Sequence, residues 1–155
     1  MKKYIYLISP QKIRGNKFYN ELDKILKTKK VKYFQLRIKK ISNSNLIKIS
    51  NKIKKIVKKN NVKFIINDMP AIAKKIGADG CHIGQKDLDY KSSRKVLGEK
   101  KIIGITCHNS ISLAKKAIAN GANYIALGSF YSSKTKKIRY KASLKILSLT
   151  KKLTN

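Results

Sequence analysis

Short apolar runs and segments of helical periodicity replace one another six times along this chain, and that rhythm admits few folds. Residues 4–9, 31–36, 62–67, 80–83, 101–106 and 124–127 are short, apolar and rich in β-branched or aromatic side chains, the pattern of buried strands. Between them, residues 17–27 carry Phe18, Leu22, Ile25 and Leu26 at helical spacing, and residues 44–59 carry Leu46, Ile49, Ile53, Ile56 and Val57 on one face with lysines opposite. A short helix over 70–76 opens on Pro70, where a missing N–H costs nothing, and stops before Gly77. Residues 92–97 form another, ending at Gly98, and Ser110 caps a helix that Gly121 closes. A final helix has its apolar positions at Leu144, Leu147 and Leu149. Strictly alternating strands and helices predict a parallel sheet covered by helices, with function gathered at the carboxyl ends of the strands.

The distinctive polar residues stand at those ends. Only seven acidic residues face 38 basic ones, yet Asp68, Asp79, Asp87 and Asp89 all lie between positions 64 and 89. Asp68 and Asp87 each follow a strand. Magnesium prefers oxygen ligands and takes one or two carboxylates plus substrate phosphates, so the pair reads as a divalent-metal site. Singly, each has an ordinary structural reading: Asp68 opens the turn before Met69 and Pro70, and Asp87 caps the next helix. The basic residues nearby favour the metal. Gln35, Arg37 and Lys39 alternate along an extended segment and so point to one side. A guanidinium fork beside an ammonium suits a diphosphate. The loop GSFYSSKTKK, from Gly128, adds the hydroxyls of Ser132, Ser133 and Thr135 with Lys134 and Lys136, although it is not a Walker loop.

Cys81-His82 and Cys107-His108 raise the question of zinc. Neighbouring strand residues point to opposite faces, so each dipeptide offers one ligand to any one site, and the spacing fits no zinc motif. Buried free thiols are expected, with His82 or His108 lining the site. The net charge of +31 invites a nucleic-acid partner. The lysines are spread over nearly every helix and loop, however, and Lys, Asn and Ile are all encoded by AT-rich codons, so base bias accounts for the composition. A specific nucleic-acid partner is not expected, nor is a membrane, since no apolar run is long enough to span one. A chain of 155 residues with 42% hydrophobic content is expected to form one cytoplasmic domain.

Four stretches, QLRIKK (35–40), FIINDMPAIAKKIGADGCHIGQKDL (64–88), IIGITCHN (102–109) and GANYIALGSFYSSKTK (121–136), resemble thiamine-phosphate synthases in order and spacing. The resemblance implies an α/β fold of the (βα)8 TIM-barrel type, truncated here to about six βα units with strands 7 and 8 missing, so that residues 1–155 make a single incomplete barrel domain. It implies a magnesium-dependent transferase of thiamine biosynthesis that joins hydroxymethylpyrimidine diphosphate to thiazole phosphate. On this chain Gln35, Leu36, Arg37, Ile38, Lys39 and Asn67 would hold the pyrimidine diphosphate. Asp68 and Asp87 would bind Mg²⁺. Thr106 stands where the family usually has serine. Ser133, Lys134 and Thr135 would touch the thiazole phosphate, and Lys136 the diphosphate, with Arg37 and Lys136 acting catalytically. Ser132-Ser133 replaces a usual Pro-Thr, and Lys86 replaces a usual acidic residue. A fragment is the expected explanation of the length, with self-association through the open barrel edges as a further expectation. A thiazole tautomerase of similar fold is the alternative, and a basic nucleic-acid-binding module another. The tautomerase would not need Arg37, Asp68 and Asp87 together.

Overall fold

The computed structural model describes residues 3–131 and 140–153. Its elements run β1 (Ile5–Ile8), α1 (Gly15–Lys27), β2 (Val31–Leu36), α2 (Asn43–Lys59), β3 (Lys63–Asn67), α3 (Pro70–Lys75), β4 (Gly80–Ile83), α4 (Tyr90–Leu97), β5 (Ile102–His108), α5 (Ile111–Ala119), β6 (Tyr124–Leu127) and α6 (Lys145–Lys151). The six strands form one sheet in chain order, each parallel to the next. Such sequential winding is what right-handed βα crossovers produce. Among the described residues no helix is long and apolar enough to cross a membrane.

Strand parity divides the side chains between two environments. Phe34, Leu36, Phe64, Ile66, Cys81, Ile83, Ile103, Ile105 and Cys107 point outward and are buried under the helices, against Leu22, Leu26, Leu46, Ile53 and Val57. Both cysteines are free and fully buried. The opposite, concave face carries polar and aromatic groups. The sheet curls enough for Tyr6 of β1 and Tyr124 of β6 to meet, their hydroxyls 2.6 Å apart. Among the described residues β1 pairs with β2 alone and β6 with β5 alone. The arrangement is a half-barrel with a concave interior.

A near-repeat in the sequence explains two of the helix-to-strand joints. Gly77-Ala78-Asp79 precedes β4, and Gly121-Ala122-Asn123 precedes β6. Each glycine takes a left-handed φ, +63° and +83° respectively, past the end of its helix. Each following polar side chain then accepts a hydrogen bond from the first residues of the neighbouring strand: Asp79 Oδ2 from Phe64 N–H at 2.9 Å, and Asn123 Oδ1 from Ile103 N–H at 2.8 Å.

Three expectations need correction. Helix α4 starts at Tyr90, two residues earlier than the apolar pattern suggests, because Asp89 caps it and accepts from Ser92 N–H at 3.2 Å. Strand β5 runs on to His108 through an irregularity in its pairing with β6. In α6 the buried positions are Ile146 and Thr150, while Leu144, Leu147 and Leu149 are exposed. A helix of seven residues offers two apolar faces of similar length, and Thr150 resolves the choice by returning its hydroxyl to the Ile146 carbonyl at 2.8 Å, so that its methyl can be buried.

Candidate active site

The carboxyl ends of the strands open into a cavity of about 990 Å³. Its lining brings together Gln35, Arg37 and Lys39 from the end of β2, Asn67 and Asp68 from β3, His82, Gly84, Gln85 and Asp87 from β4, Thr106 and His108 from β5, and residues 124–129 of β6 and its following loop. Residues distant in sequence therefore meet at one mouth, where the sequence placed its carboxylates and its scarce arginine.

Asp68 adopts φ +61°, a left-handed conformation that a non-glycine residue takes at some cost. The turn allows two things at once. Its amide donates to the His82 carbonyl at 2.8 Å, extending the sheet by one bond, while its carboxylate swings into the cavity toward Asp87. Asp87 does not cap α4. Its Oδ2 accepts from Gly84 N–H at 2.7 Å, closing the turn after β4. The carboxyl groups of Asp68 and Asp87 line the same cavity and interact electrostatically. Burial, followed by the adjacent Asp87 group, pushes the Asp68 carboxyl up to about 6, against the opposing pull of Lys39 and Asn67. Two carboxylates forced together with rigid backbones behind them suit a hard divalent cation that needs oxygen ligands and would relieve their repulsion. Among the described residues no group of three or more His, Cys, Asp or Glu side chains could hold a metal.

Leu36 and Ile38 do not present side chains to the cavity. Leu36 is 1% exposed in the core under the helices and Ile38 packs against the same cluster, as alternation beside Gln35 and Arg37 requires. Only their backbone is left to serve a ligand. Ser133, Lys134, Thr135 and Lys136 lie outside the described residues.

Tyr6 and Tyr124, which join Gln35, His82 and Thr106 in the concave wall below the mouth, were not foreseen from sequence. Gln35 Nε2 donates to the Tyr6 hydroxyl at 3.0 Å, Tyr6 meets Tyr124 as above, Tyr124 Oη lies 3.0 Å from His82 Nδ1, and His82 Nε2 lies 2.8 Å from Thr106 Oγ1. The Tyr124 ring stacks on the His82 ring with centroids 5.6 Å apart. Burial holds the His82 imidazole down at about 4, with Arg37 adding to the effect and Asp87 opposing it. Burial also pushes the Tyr124 phenol well up. Gln35, Tyr6, Tyr124, His82 and Thr106 are thus joined on one wall, a line of side chains from five strands. Period-two parity carried over from Gln35 would have flagged Tyr6 and Tyr124 as inward-facing, had the strand register been known.

The model of the thiamine monophosphate synthase family matches residues 5–155. A thiamine-phosphate synthase of Pelagibacter ubique (strain HTCC1062) is 56% identical over 154 residues, which cover 99% of this chain and 74% of that protein. The corresponding protein of Erythrobacter litoralis (strain HTCC2594) is 40% identical over 134 residues, 85% of this chain and 62% of its own length. In three dimensions a thiamine phosphate pyrophosphorylase from Pyrococcus furiosus superposes with a TM-score of 0.82 at 20% identity, over 98% of this chain and 71% of that one, which supports the fold. By sequence match along nearly its whole length, the chain belongs to the thiamine monophosphate synthase family.

Proposed function

We propose that this chain acts in thiamine biosynthesis as a transferase, condensing hydroxymethylpyrimidine diphosphate with thiazole phosphate to give thiamine phosphate and diphosphate. The observation that carries the reading is the Asp68–Asp87 pair at one cavity mouth with Arg37 and Lys39. That constellation suits a magnesium diphosphate: the carboxylates hold the cation and the two side chains from the end of β2 meet the phosphates. When bound, the metal would neutralise charge on the departing diphosphate.

In this reading the bond between the pyrimidine methylene carbon and the diphosphate oxygen breaks, and its electron pair leaves with the diphosphate. The thiazole nitrogen then bonds to that carbon. Arg37 and Lys39 stabilise the negative charge that grows on the leaving oxygen. Gln35 and Asn67 orient the pyrimidine-bearing half, and Thr106 meets the same substrate from the far wall. Ser133, Lys134, Thr135 and Lys136 keep the thiazole-phosphate and diphosphate roles that the family resemblance gives them. No side chain need remove a proton in the step that breaks the carbon–oxygen bond, and burial, which pushes His82 down to about 4, makes that imidazole a weak base.

The test is formation of thiamine phosphate by the purified chain from the two phosphorylated substrates. Activity that requires Mg²⁺ and disappears with a chelator supports the reading. Binding of the pyrimidine diphosphate without product would confine the chain to the first substrate, and binding of neither substrate would reject the proposal.

A further inference from the structure

We propose that Tyr124 is a positioning residue that fixes His82 as its Nε2–H tautomer, so that the Thr106 hydroxyl keeps its hydrogen for an anionic ligand in the cavity. The inference deepens the transferase reading and rests on it for the identity of the anion.

The argument follows single hydrogens along the concave wall. Gln35 Nε2 donates to Tyr6 Oη, Tyr124 Oη stands 2.6 Å from the same oxygen with either hydroxyl able to donate, and in the proposed direction Tyr6 is the donor. Tyr124, already accepting, sends its hydrogen to His82 Nδ1 at 3.0 Å. That nitrogen must then be bare, and a neutral imidazole bare at Nδ1 carries its hydrogen on Nε2. The Nε2–H points at Thr106 Oγ1, 2.8 Å away, and occupies one of its lone pairs. The Thr106 hydrogen is left over at a residue that lines the cavity.

Running the line in reverse would change the chemistry at the mouth. Thr106 would donate to His82 and offer only lone pairs to a ligand, which repel a phosphate oxygen. A doubly protonated His82 would turn the Tyr124 hydrogen back to Tyr6 and the Tyr6 hydrogen toward the cavity that Tyr6 lines. The direction therefore decides whether Thr106 attracts or repels an anion.

Gly104 is what seats Tyr124. A Cβ at residue 104 would come within 1.9 Å of Tyr124 Cζ, so the phenol ring lies against bare backbone on β5. Gly104 lies on the strand between those of His82 and Tyr124 and pairs with both in the sheet register, so the same contact sets the distance from Tyr124 to His82.

The test uses the full chain labelled with ¹⁵N at histidine, which contains only two such residues. A long-range ¹H–¹⁵N correlation spectrum at neutral pH is expected to show His82 as a single Nε2–H tautomer without ligand. Tyr124→Phe keeps the ring and removes the hydroxyl; it is expected to give a mixture of tautomers and to weaken magnesium diphosphate binding about 10-fold, the scale of one hydrogen bond to a charged group. Thr106→Ser should bind like the wild type and Thr106→Val should lose a similar factor. An Nδ1–H tautomer at His82 in the wild type overturns the proposal, as does a Tyr124→Phe spectrum that still shows Nε2–H alone. A purely structural role would alter the melting temperature of Tyr124→Phe and leave its tautomer unchanged. Failure of the wild-type chain to bind magnesium diphosphate would count against the transferase reading, while the ligand-free spectrum decides the positioning role.

Discussion

Asp68 and His82 are neighbours whose protonation pulls stability in opposite directions. Asp68 titrates at about 6 in the folded chain against 3.8 ordinarily, so between those values the folded state holds more protons and stability falls as pH rises. Its cost is complete above about pH 6 and gone below the ordinary value. His82 titrates at about 4 against 6.5 ordinarily, so across that window the unfolded chain binds more protons and stability rises with pH. The two slopes overlap and partly cancel in the wild type. Asp68→Asn separates them without straining the backbone, because asparagine also tolerates the left-handed conformation at this position. In metal-free buffer at pH 7, urea unfolding is expected to show Asp68→Asn stabilised by about 1 kcal/mol, the shift being discounted for partial solvent screening. Its magnesium-dependent activity should be lost. Below pH 6.5 the same variant should expose the His82 slope, with as much as about 3 kcal/mol disappearing as pH falls through 4. His82→Gln should show the reverse slope. Equal urea midpoints for Asp68→Asn and wild type at pH 7 would argue against crowded carboxylates. The importance of Asp68 was legible in sequence because acid is so scarce in this chain. Its strained turn was not, since nothing in Asn67-Asp68-Met69 announces a left-handed residue.

At the scale of elements, the strands were legible and the joints less so. Short apolar runs mark β2, β4 and β6 to the residue, even though Lys32, Gln35 and His82 interrupt two of them. The start of α4 was missed because the apolar pattern begins later than the Asp89 cap that sets it, while Asp87 closes the turn with Gly84 instead. The amino-terminal ends of the strands, opposite the cavity, hold a clasp that sequence could not reveal. Arg94 of α4 donates through Nη1 to the carbonyls of Gly98, Glu99 and Lys101, at 2.9, 3.2 and 2.6 Å, and through Nη2 to Asn123 Oδ1 at 3.2 Å. Its Nε reaches the Tyr90 hydroxyl at 3.2 Å, and Tyr90 donates to the Gly121 carbonyl at 3.0 Å. One guanidinium thus ties α4 to the entries of β5 and β6. A lysine in its place has one nitrogen and no planar fork. Arg94→Lys is expected to destabilise the fold by about 1–3 kcal/mol, several charge-assisted bonds being reduced to one, while the turnover of the folded fraction stays at the wild-type value. A change in kcat at a temperature where the variant is fully folded would show that the clasp reaches the active site.

Across the whole molecule the dominant quantity is charge. A formal net charge of +31 is carried largely by exposed lysines, and the ion pairs among the described residues are Lys17–Glu21, Lys27–Asp23 and Lys63–Asp79. All three lie on the surface, where such pairs contribute little. The compact state therefore concentrates like charges that the expanded chain separates, and self-repulsion opposes folding. Screening should relieve it. At low ionic strength the Debye length is about 30 Å, comparable to the protein, and at about 0.15 M it is about 8 Å, shorter than most lysine separations. The melting temperature is therefore expected to rise by several degrees between those conditions, before any specific ion effect. The same charge draws polyanions without a built site for them, so duplex DNA binding at low salt should disappear by about 200 mM, as counterion release requires. Magnesium diphosphate should behave differently. In the proposed function it would be held by Asp68, Asp87, Arg37 and Lys39, which line the cavity mouth, so its protection against thermal unfolding should persist at that salt. The comparison separates diffuse attraction from a site. A melting temperature that does not move with sodium chloride would show that the lysine faces are already neutralised within the fold, and diphosphate protection that vanishes alongside DNA binding would reduce the candidate active site to one more patch of surface charge.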